Sequence, residues 1–146
     1  MPVKEIDLAL SNPLGELSVV SEILDSNGIN IIAFYIYARG EKGRLRFIAN
    51  DPDRAMNVLK ARGYKMRLDK VIACEKPDHP GGLNAILKPL REEGINVDYL
   101  YPCLPALGAG SSAILILGAA SKDRERILNV LKENWIRVVD EELYRM

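Results

Sequence analysis

Two short turns carry the residues that could bind a small charged ligand. The first turn spans Asn12–Leu17 and the second spans Asp78–Leu83, and each combines proline and glycine ahead of an apolar helical segment. A glycine, Gly28 or Gly94, follows each helical segment. The first N–H groups of a helix have no partner within the helix, and the helix dipole makes that end positive. Each turn is therefore predicted to suit a small anionic group, with Asp78 as a polar side chain beside the second turn.

The two turns belong to a sequence repeat. Gly28 and Gly94 are 66 residues apart, as are Gly15 and Gly81. Further along, the offset is 70 residues for an Asp-Arg pair and 72 residues for the Asn-Val-Leu-Lys tetrapeptide that begins at Asn57. Matches in one order with a growing offset indicate a duplication, with an insertion in the second copy. We therefore expect two similar domains, residues 1–69 and 70–146.

The pattern of apolar residues predicts the order β-α-β-β-α-β in each copy. Segments rich in Ile, Val, Phe and Tyr indicate strands, and segments with apolar residues every three or four positions indicate helices. Asp51 is a good helix cap before Pro52, and Pro89 should kink the helix that contains it. The predicted strands are 5–10, 31–37, 44–49, 64–68, 70–75, 97–103, 113–117 and 136–139, and the predicted helices are 15–27, 51–63, 81–93 and 121–134.

This order of elements is that of the split βαβ, or ferredoxin-like, unit. The predicted fold class is α+β, with two ferredoxin-like βαββαβ units in tandem, each an antiparallel sheet with its helices on one face. Ile31–Phe34 and Ile114–Leu117 are apolar at every position, so both faces of their strands would be apolar. We therefore expect the helix-free face to be covered, most simply by the same face of a second chain, which predicts a homodimer.

Composition argues against several classes of function. The chain has 146 residues, with 20 Lys plus Arg and 20 Asp plus Glu, so a basic surface for nucleic acid is not expected. The N-terminus does not resemble a signal peptide, and two isolated cysteines, Cys74 and Cys103, are expected to be buried and reduced in a cytoplasmic protein. Residues 99–121 carry no charge, but their glycines and prolines favour two strands around a loop over a membrane span.

No group of residues has the spacing of a catalytic or metal centre. His79 is the only histidine, and no Ser, Cys or carboxylate lies at a triad spacing from it. Neither turn contains the arginine that an acylphosphatase-like enzyme would need to hold phosphate. We expect no enzymatic activity, no cofactor and no metal. The segment Leu104–Ser112 has no lysine and is a poor phosphate loop, so it is interpreted as a lid or as the insertion, and Trp135 is expected in the core.

With both copies aligned, the sequence resembles the ACT family in its tandem form. The two turns carry the resemblance, together with Gly28–Asn30 and Gly94–Asn96, and it covers residues 5–68 and 70–140. ACT modules are regulatory and typically bind an amino acid at an interface between two modules. The resemblance implies a ligand between the turn of one module and the second strand of its neighbour. Because no catalytic or DNA-binding domain accompanies the two modules here, it also implies a regulated enzyme or transporter in trans.

The resemblance also assigns ligand-binding residues. ACT sites use a polar residue before the turn, a glycine that allows close approach, and an asparagine that opens the second strand. Helix N–H groups suit the carboxylate of an amino acid, and a carboxylate or amide oxygen suits its ammonium group. A helix cap for Asp78, and a turn or cap role for each asparagine, remain as structural alternatives. The predicted site residues are Asn12, Pro13, Leu14, Gly15 and Asn30 in the first copy, and Asp78, His79, Pro80, Gly81 and Asn96 in the second.

The proline of the first turn lies one position earlier than the proline of the second turn, so the first site could be altered or vacant. The predicted function is a stand-alone regulatory module that binds an amino acid, or a similar small zwitterion, at an interface between two ACT-like domains and signals to a partner protein. The alternative is a ligand-free protein-interaction scaffold that uses the apolar face of its sheet.

Overall fold

A computed structural model describes residues 2–77, 79–103 and 112–145, and it confirms the predicted fold class. Two compact units, a first unit of residues 4–70 and a second unit of residues 71–144, each place helices on one face of a sheet. In chain order the elements are β1 Val3–Ser11, α1 Pro13–Ser26, β2 Ile31–Arg39, β3 Lys42–Ala49, α2 Pro52–Ala61, β4 Met66–Pro77, α3 Gly82–Glu92, β5 Tyr99–Cys103, β6 Ser112–Gly118, α4 Ser121–Glu133, β7 Val138–Val139 and a 3-10 helix Glu141–Arg145.

The first unit buries alternate residues of its strands against two helices. Its strand order is β2-β3-β1-β4, and β3 pairs antiparallel with both β1 and β2. Side chains alternate across a strand, so every second residue of β1 and β3 faces α1 and α2. Asp51 caps α2 as predicted, because its carboxylate accepts the Arg54 N–H at 3.2 Å. The core contains Ile6, Leu8, Leu10, Val20, Ile23, Leu24, Leu45, Phe47, Ala55 and Leu59.

The second unit repeats this arrangement. In it β4 lies between β6 and β7, β5 lies beyond β6, and all these pairs are antiparallel. Helix α3 continues through Pro89 to Glu92, although proline cannot donate the usual helical hydrogen bond. The core contains Ile72, Cys74, Ile86, Leu90, Leu115, Leu117, Ile127 and Leu131.

The strands predicted at 64–68 and 70–75 form one strand, β4, so the expected interruption between them was wrong. Residues 64–76 contain no glycine or proline, and nothing in this segment forces the backbone to turn. The division between the two units therefore falls inside β4, at residue 70.

On the helix-free face, the second unit buries apolar side chains. Ile114 and Ile116 alternate with the core residues Leu115 and Leu117, and all four are at most 3% exposed. The face is covered, as expected from its composition, but this burial is complete within a single chain. A second chain is therefore not needed to explain why these residues are apolar.

On the same face, the first unit buries charge instead, which the apolar runs did not predict. Asp7 and Glu5 are buried on β1. Asp7 accepts hydrogen bonds from Arg44 Nε at 2.9 Å and from Arg67 Nη2 at 2.8 Å, and Arg46 lies 3.3 Å from its second oxygen. A buried carboxylate is tolerated only where cations and hydrogen bonds replace its lost hydration.

Trp135 is not in the core, so that prediction was wrong. Its side chain is 94% exposed, and its φ of 57° lies in the left-handed region that side chains disfavour. The equivalent residue of the first copy is Gly63, which adopts the same region with φ 88° at the end of α2. The turn that ends the helix therefore decides the conformation, and a tryptophan occupies a position suited to glycine.

The charge-free segment 99–121 contains β5 and β6, as predicted, while residues 104–111 lie outside the described part of the chain. Of the predicted lid or insertion Leu104–Ser112, only the backbone of Ser112 is therefore described. Within residues 2–77, 79–103 and 112–145, no helix has the length and apolar character needed to cross a bilayer.

Replacing Asp7 by Asn should lower the free energy of unfolding by about 2 to 3 kcal/mol, because three arginines would lose their buried counter-charge. Asp53→Asn is the matched control. Asp53 forms an exposed ion pair with Lys4, so its loss should cost about 0.5 kcal/mol or less. Urea unfolding followed by circular dichroism measures both values. Equal effects of the two substitutions would contradict a structural role for the buried cluster.

Candidate functional site

The first turn is held rigidly at the start of α1. Asn12 adopts a left-handed backbone with φ 58°, and its N–H donates to the Glu41 carbonyl at 2.7 Å in the hairpin between β2 and β3. The Glu16 carboxylate reaches back and accepts the Ser11 N–H at 3.1 Å. Pro13 begins the helix and is buried. The turn is thus fixed from both sides before any ligand binds, which lowers the entropic cost of binding.

Gly15 allows the Asn12 side chain to lie over the first turn of α1. A Cβ atom built on Gly15 would stand 2.6 Å from Asn12 Nδ2, too close for any larger residue unless that amide moved. The polar group expected beside the helix N-terminus is therefore present. Its placement depends on the glycine that the sequence analysis singled out for close approach.

The second turn uses a different geometry. Gly81 is the N-cap of α3 with φ 87°, and the Gly82 N–H donates to the His79 carbonyl at 2.9 Å. A Cβ on Gly82 would collide with the Pro77 carbonyl oxygen, so only glycine fits there. His79 Nδ1 lies 2.8 Å from the Pro80 carbonyl on the surface. Asp78 lies outside the described residues, so its role stays a prediction.

A cavity of about 500 Å³ lies in the first unit between α1 and the edge strand β2. Two of the predicted site residues, Leu14 and Asn30, line it. Asn12, Pro13 and Gly15 build the turn beside Leu14 but do not line the cavity. The lining residues are Leu14, Leu17, Ser18, Ser21, Leu24, Asp25, Ile29, Asn30, Ile31 and Phe34.

Four lining residues that the sequence analysis missed are Ser18, Ser21, Asp25 and Phe34. Leu14, Ser18, Ser21 and Asp25 follow one another at spacings of four, three and four residues, so they form one stripe along a helix. This stripe of small and acidic residues beside the apolar face was visible in the sequence. It supplies hydroxyl groups and one carboxylate next to an apolar wall.

Asn30 has a structural task that leaves its side chain available. Its N–H donates to Asn50 Oδ1 at 2.9 Å, and its carbonyl accepts the Asn50 N–H at 3.0 Å. These bonds use backbone atoms, and the residue is exposed at the cavity. Asn96, its counterpart in the second unit, is also exposed. The structural alternative for Asn30 therefore concerns its backbone and does not compete with a ligand for its amide.

The two cysteines are buried and reduced, as predicted. Burial raises the pKa of the Cys74 thiol to about 12 and also raises the pKa of Cys103. Both are therefore neutral thiols near pH 7, and a neutral thiol is a poor nucleophile. Among the described residues, no three His, Cys, Asp or Glu side chains come together in a way that could hold a metal ion.

Comparison with protein families accounts for the whole chain. A family model described as an ACT domain pair matches residues 1–146. The chain therefore belongs to the ACT domain pair family, and the suspected resemblance is confirmed. Among curated protein sequences, none is similar enough to be matched to this chain.

Solved structures show the same fold. The chain is 28% identical to protein BT0572 from Bacteroides thetaiotaomicron, with a TM-score of 0.87, over 100% of this chain and 98% of that one. The ligand-free regulatory subunit of aspartate kinase from Thermus thermophilus is 12% identical, with a TM-score of 0.64, over 92% and 94%. The corresponding subunit from Thermus flavus is 13% identical, with a TM-score of 0.58, over 92% and 94%. At such low identity, the two kinase subunits establish a shared fold alone.

Gly82→Ala should lower the free energy of unfolding by about 2 to 3 kcal/mol, because the new methyl group meets a fixed backbone carbonyl. Gly15→Ala is the contrasting variant. Its methyl group meets a side-chain amide that can rotate away, and alanine favours the helix, so the net change should stay within about 1 kcal/mol. Thermal unfolding measures both. A larger loss in Gly15→Ala would show that the Asn12 amide is locked in place.

Proposed function

We propose that this ACT domain pair is a regulatory module that binds a free amino acid, or a similar small zwitterion, and has no catalytic role of its own. The cavity between α1 and β2 carries the proposal. It combines apolar walls for a side chain with Ser18, Ser21, Asn30 and the Asp25 carboxylate for the charged groups of the ligand. A volume of about 500 Å³ falls within the range of roughly 300 to 1,000 Å³ that is usual for small-molecule sites.

The polar groups divide into two sets of opposite preference. Asp25 accepts hydrogen bonds only, so it suits an ammonium group, whereas the serine hydroxyls and the Asn30 amide can donate to a carboxylate. The rigid first turn adds the positive end of the α1 dipole close to Leu14. These features support a zwitterion over a simple anion at this cavity.

The open side of the cavity supports completion of the site by a further ACT module. β2 is the outer strand of the first unit, and its unpaired edge can accept another strand. Leu14 and Phe34 are 73% and 54% exposed beside it. A second copy of the chain, placed on this edge, would bury both side chains and close the cavity. The proposed assembly is therefore a homodimer through β2, and a regulated enzyme or transporter is the proposed partner in trans.

One observation favours the alternative, a protein-interaction module. Trp135 is almost fully exposed in a backbone conformation better suited to glycine, and exposed tryptophan is enriched among the residues that dominate protein interfaces. A scaffold of this kind would bind a protein through Trp135 and would show no response to small molecules.

A thermal-shift panel of the twenty amino acids at millimolar concentration tests the proposed ligand class. A ligand at a hundredfold excess over its Kd should raise the free energy of unfolding by about 2.7 kcal/mol. Asp25→Asn should weaken the best ligand about tenfold or more, because a charge-assisted hydrogen bond is lost. Glu22→Gln is the control, since Glu22 is exposed on the same helix but does not line the cavity. No shift with any amino acid would remove the proposal and favour the scaffold.

Light scattering coupled to size-exclusion chromatography tests the proposed dimer. We expect a mass of twice 16.3 kDa for the wild-type chain. Phe34→Lys should shift the protein toward the monomer, because it places a charge at the apolar edge of β2. A monomer mass for the wild-type chain at high concentration, with ligand present, would contradict the dimer and leave the amino-acid site to be judged separately.

A further inference from the structure

A second cavity of about 690 Å³ lies at one end of the sheet in the first unit. It shares no lining residue with the cavity between α1 and β2. The ends of β1 and β2, the start of β3 and the residues just before β4 surround it. We call it the basic cleft, and its lining residues are Ala9, Leu10, Ser11, Glu16, Tyr37, Arg39, Lys42, Gly43, Arg44, Gly63, Tyr64 and Lys65.

The basic cleft concentrates positive charge in a chain whose formal net charge is zero. Arg39, Lys42 and Lys65 are exposed at its rim, and within the described part of the chain they form no ion pair. Arg44 adds a fourth cation, although its Nε is committed to Asp7. Glu16 is the single carboxylate among the lining residues, and it accepts the Ser11 N–H. Cations that converge on one cavity raise the local concentration of anions.

Two tyrosines line the same cleft. Tyr37 is 45% exposed and lies directly across from Arg44 in the pairing of β2 with β3. Tyr64 follows the end of α2 and packs partly against the core of the unit. An exposed tyrosine ring offers an apolar face on which a planar group can stack. The cleft thus provides positive charge and an aromatic surface within one space.

The second copy shows that the fold does not require this chemistry. In the second unit, the strand pair Cys103 and Ile114 takes the place of Tyr37 and Arg44. Both cleft residues therefore have uncharged counterparts without a tyrosine ring at the same sheet position. Lys42 likewise pairs with Ser11, where the second copy pairs Ser112 with Pro77. Because a closely similar sheet forms without these cations, their presence in the first unit calls for an explanation other than folding.

We propose that the basic cleft binds a nucleoside polyphosphate, with Arg39, Lys42 and Lys65 on its phosphates and Tyr37 stacked on its base. Three cations without ion-pair partners match a ligand of several negative charges better than they match a zwitterion of zero net charge. The volume exceeds what a single phosphate fills. This site is separate from the proposed amino-acid cavity and does not depend on it.

Isothermal titration calorimetry with ADP, pyrophosphate and adenosine tests the proposal on the full chain. ADP should bind at low salt and bind at least tenfold more weakly at 0.5 M NaCl, since salt screens exposed charges. Pyrophosphate should bind more weakly than ADP, and adenosine more weakly still. The variant Arg39→Ala/Lys42→Ala/Lys65→Ala should lose at least tenfold in ADP affinity.

The control removes the same number and type of charges elsewhere. Lys88→Ala/Arg91→Ala/Lys132→Ala replaces two lysines and one arginine that are exposed in the second unit, and it should leave ADP affinity within twofold of wild type. Tyr37→Leu should reduce ADP binding to the level of pyrophosphate and leave pyrophosphate unchanged. This second readout stays informative if the triple variant does not fold.

Three outcomes would overturn the proposal: no binding of ADP at 1 mM in low salt, equal losses in the two triple variants, or unchanged ADP affinity in Tyr37→Leu. The thermal response to amino acids should be the same in the cleft variants as in the wild-type chain. A failure of the cleft and a failure of the amino-acid site are therefore distinguishable.

Discussion

A sheet that carries helices on only one face must satisfy the side chains that it buries on the other, and the two units do so with different chemistry. In the first unit, Asp7 is buried and bonded to Arg44 and Arg67. In the second unit, Ile114 and Ile116 are buried instead. A buried carboxylate restricts the positions of its neighbouring strands, because each arginine must reach it, whereas apolar packing tolerates small adjustments. The first unit thus has a sheet fixed by ions as well as by its backbone.

The turns before α1 and α3 show how close backbone approach prepares a ligand site. Gly15 lets the Asn12 amide lie over the start of α1, and Gly82 fits where a side chain would strike the Pro77 carbonyl. Both turns present the positive end of a helix without a bulky residue in front of it. In the first unit, the turn adjoins a cavity that runs along α1, where small hydroxyl groups and one carboxylate replace larger side chains. The family of the chain and the geometry of this cavity point to the same class of ligand.

The duplicated copies share a backbone and have diverged in chemistry. Gly63 and Trp135 adopt the same left-handed turn, yet one is small and the other is the most exposed large side chain described. Arg44 and Ile114 occupy the same register of the sheet. Such differences cost the fold little, because they lie at exposed ends or on a face that can be satisfied in more than one way. They leave each copy free to acquire its own binding surface.

The sequence alone determined the duplicated architecture, the α+β class and most of the elements, because these depend on local periodicity and on glycines that stop helices. It also identified the two turns, since proline and glycine act within a few residues. Only the tertiary structure decided that β4 is one strand, that Asp7 is paired, that Trp135 is exposed, and that Leu14 and Asn30 share a cavity with Asp25. Each of these depends on which distant segments pack together, and long-range packing, unlike local backbone preference, leaves no signal within a short stretch of chain.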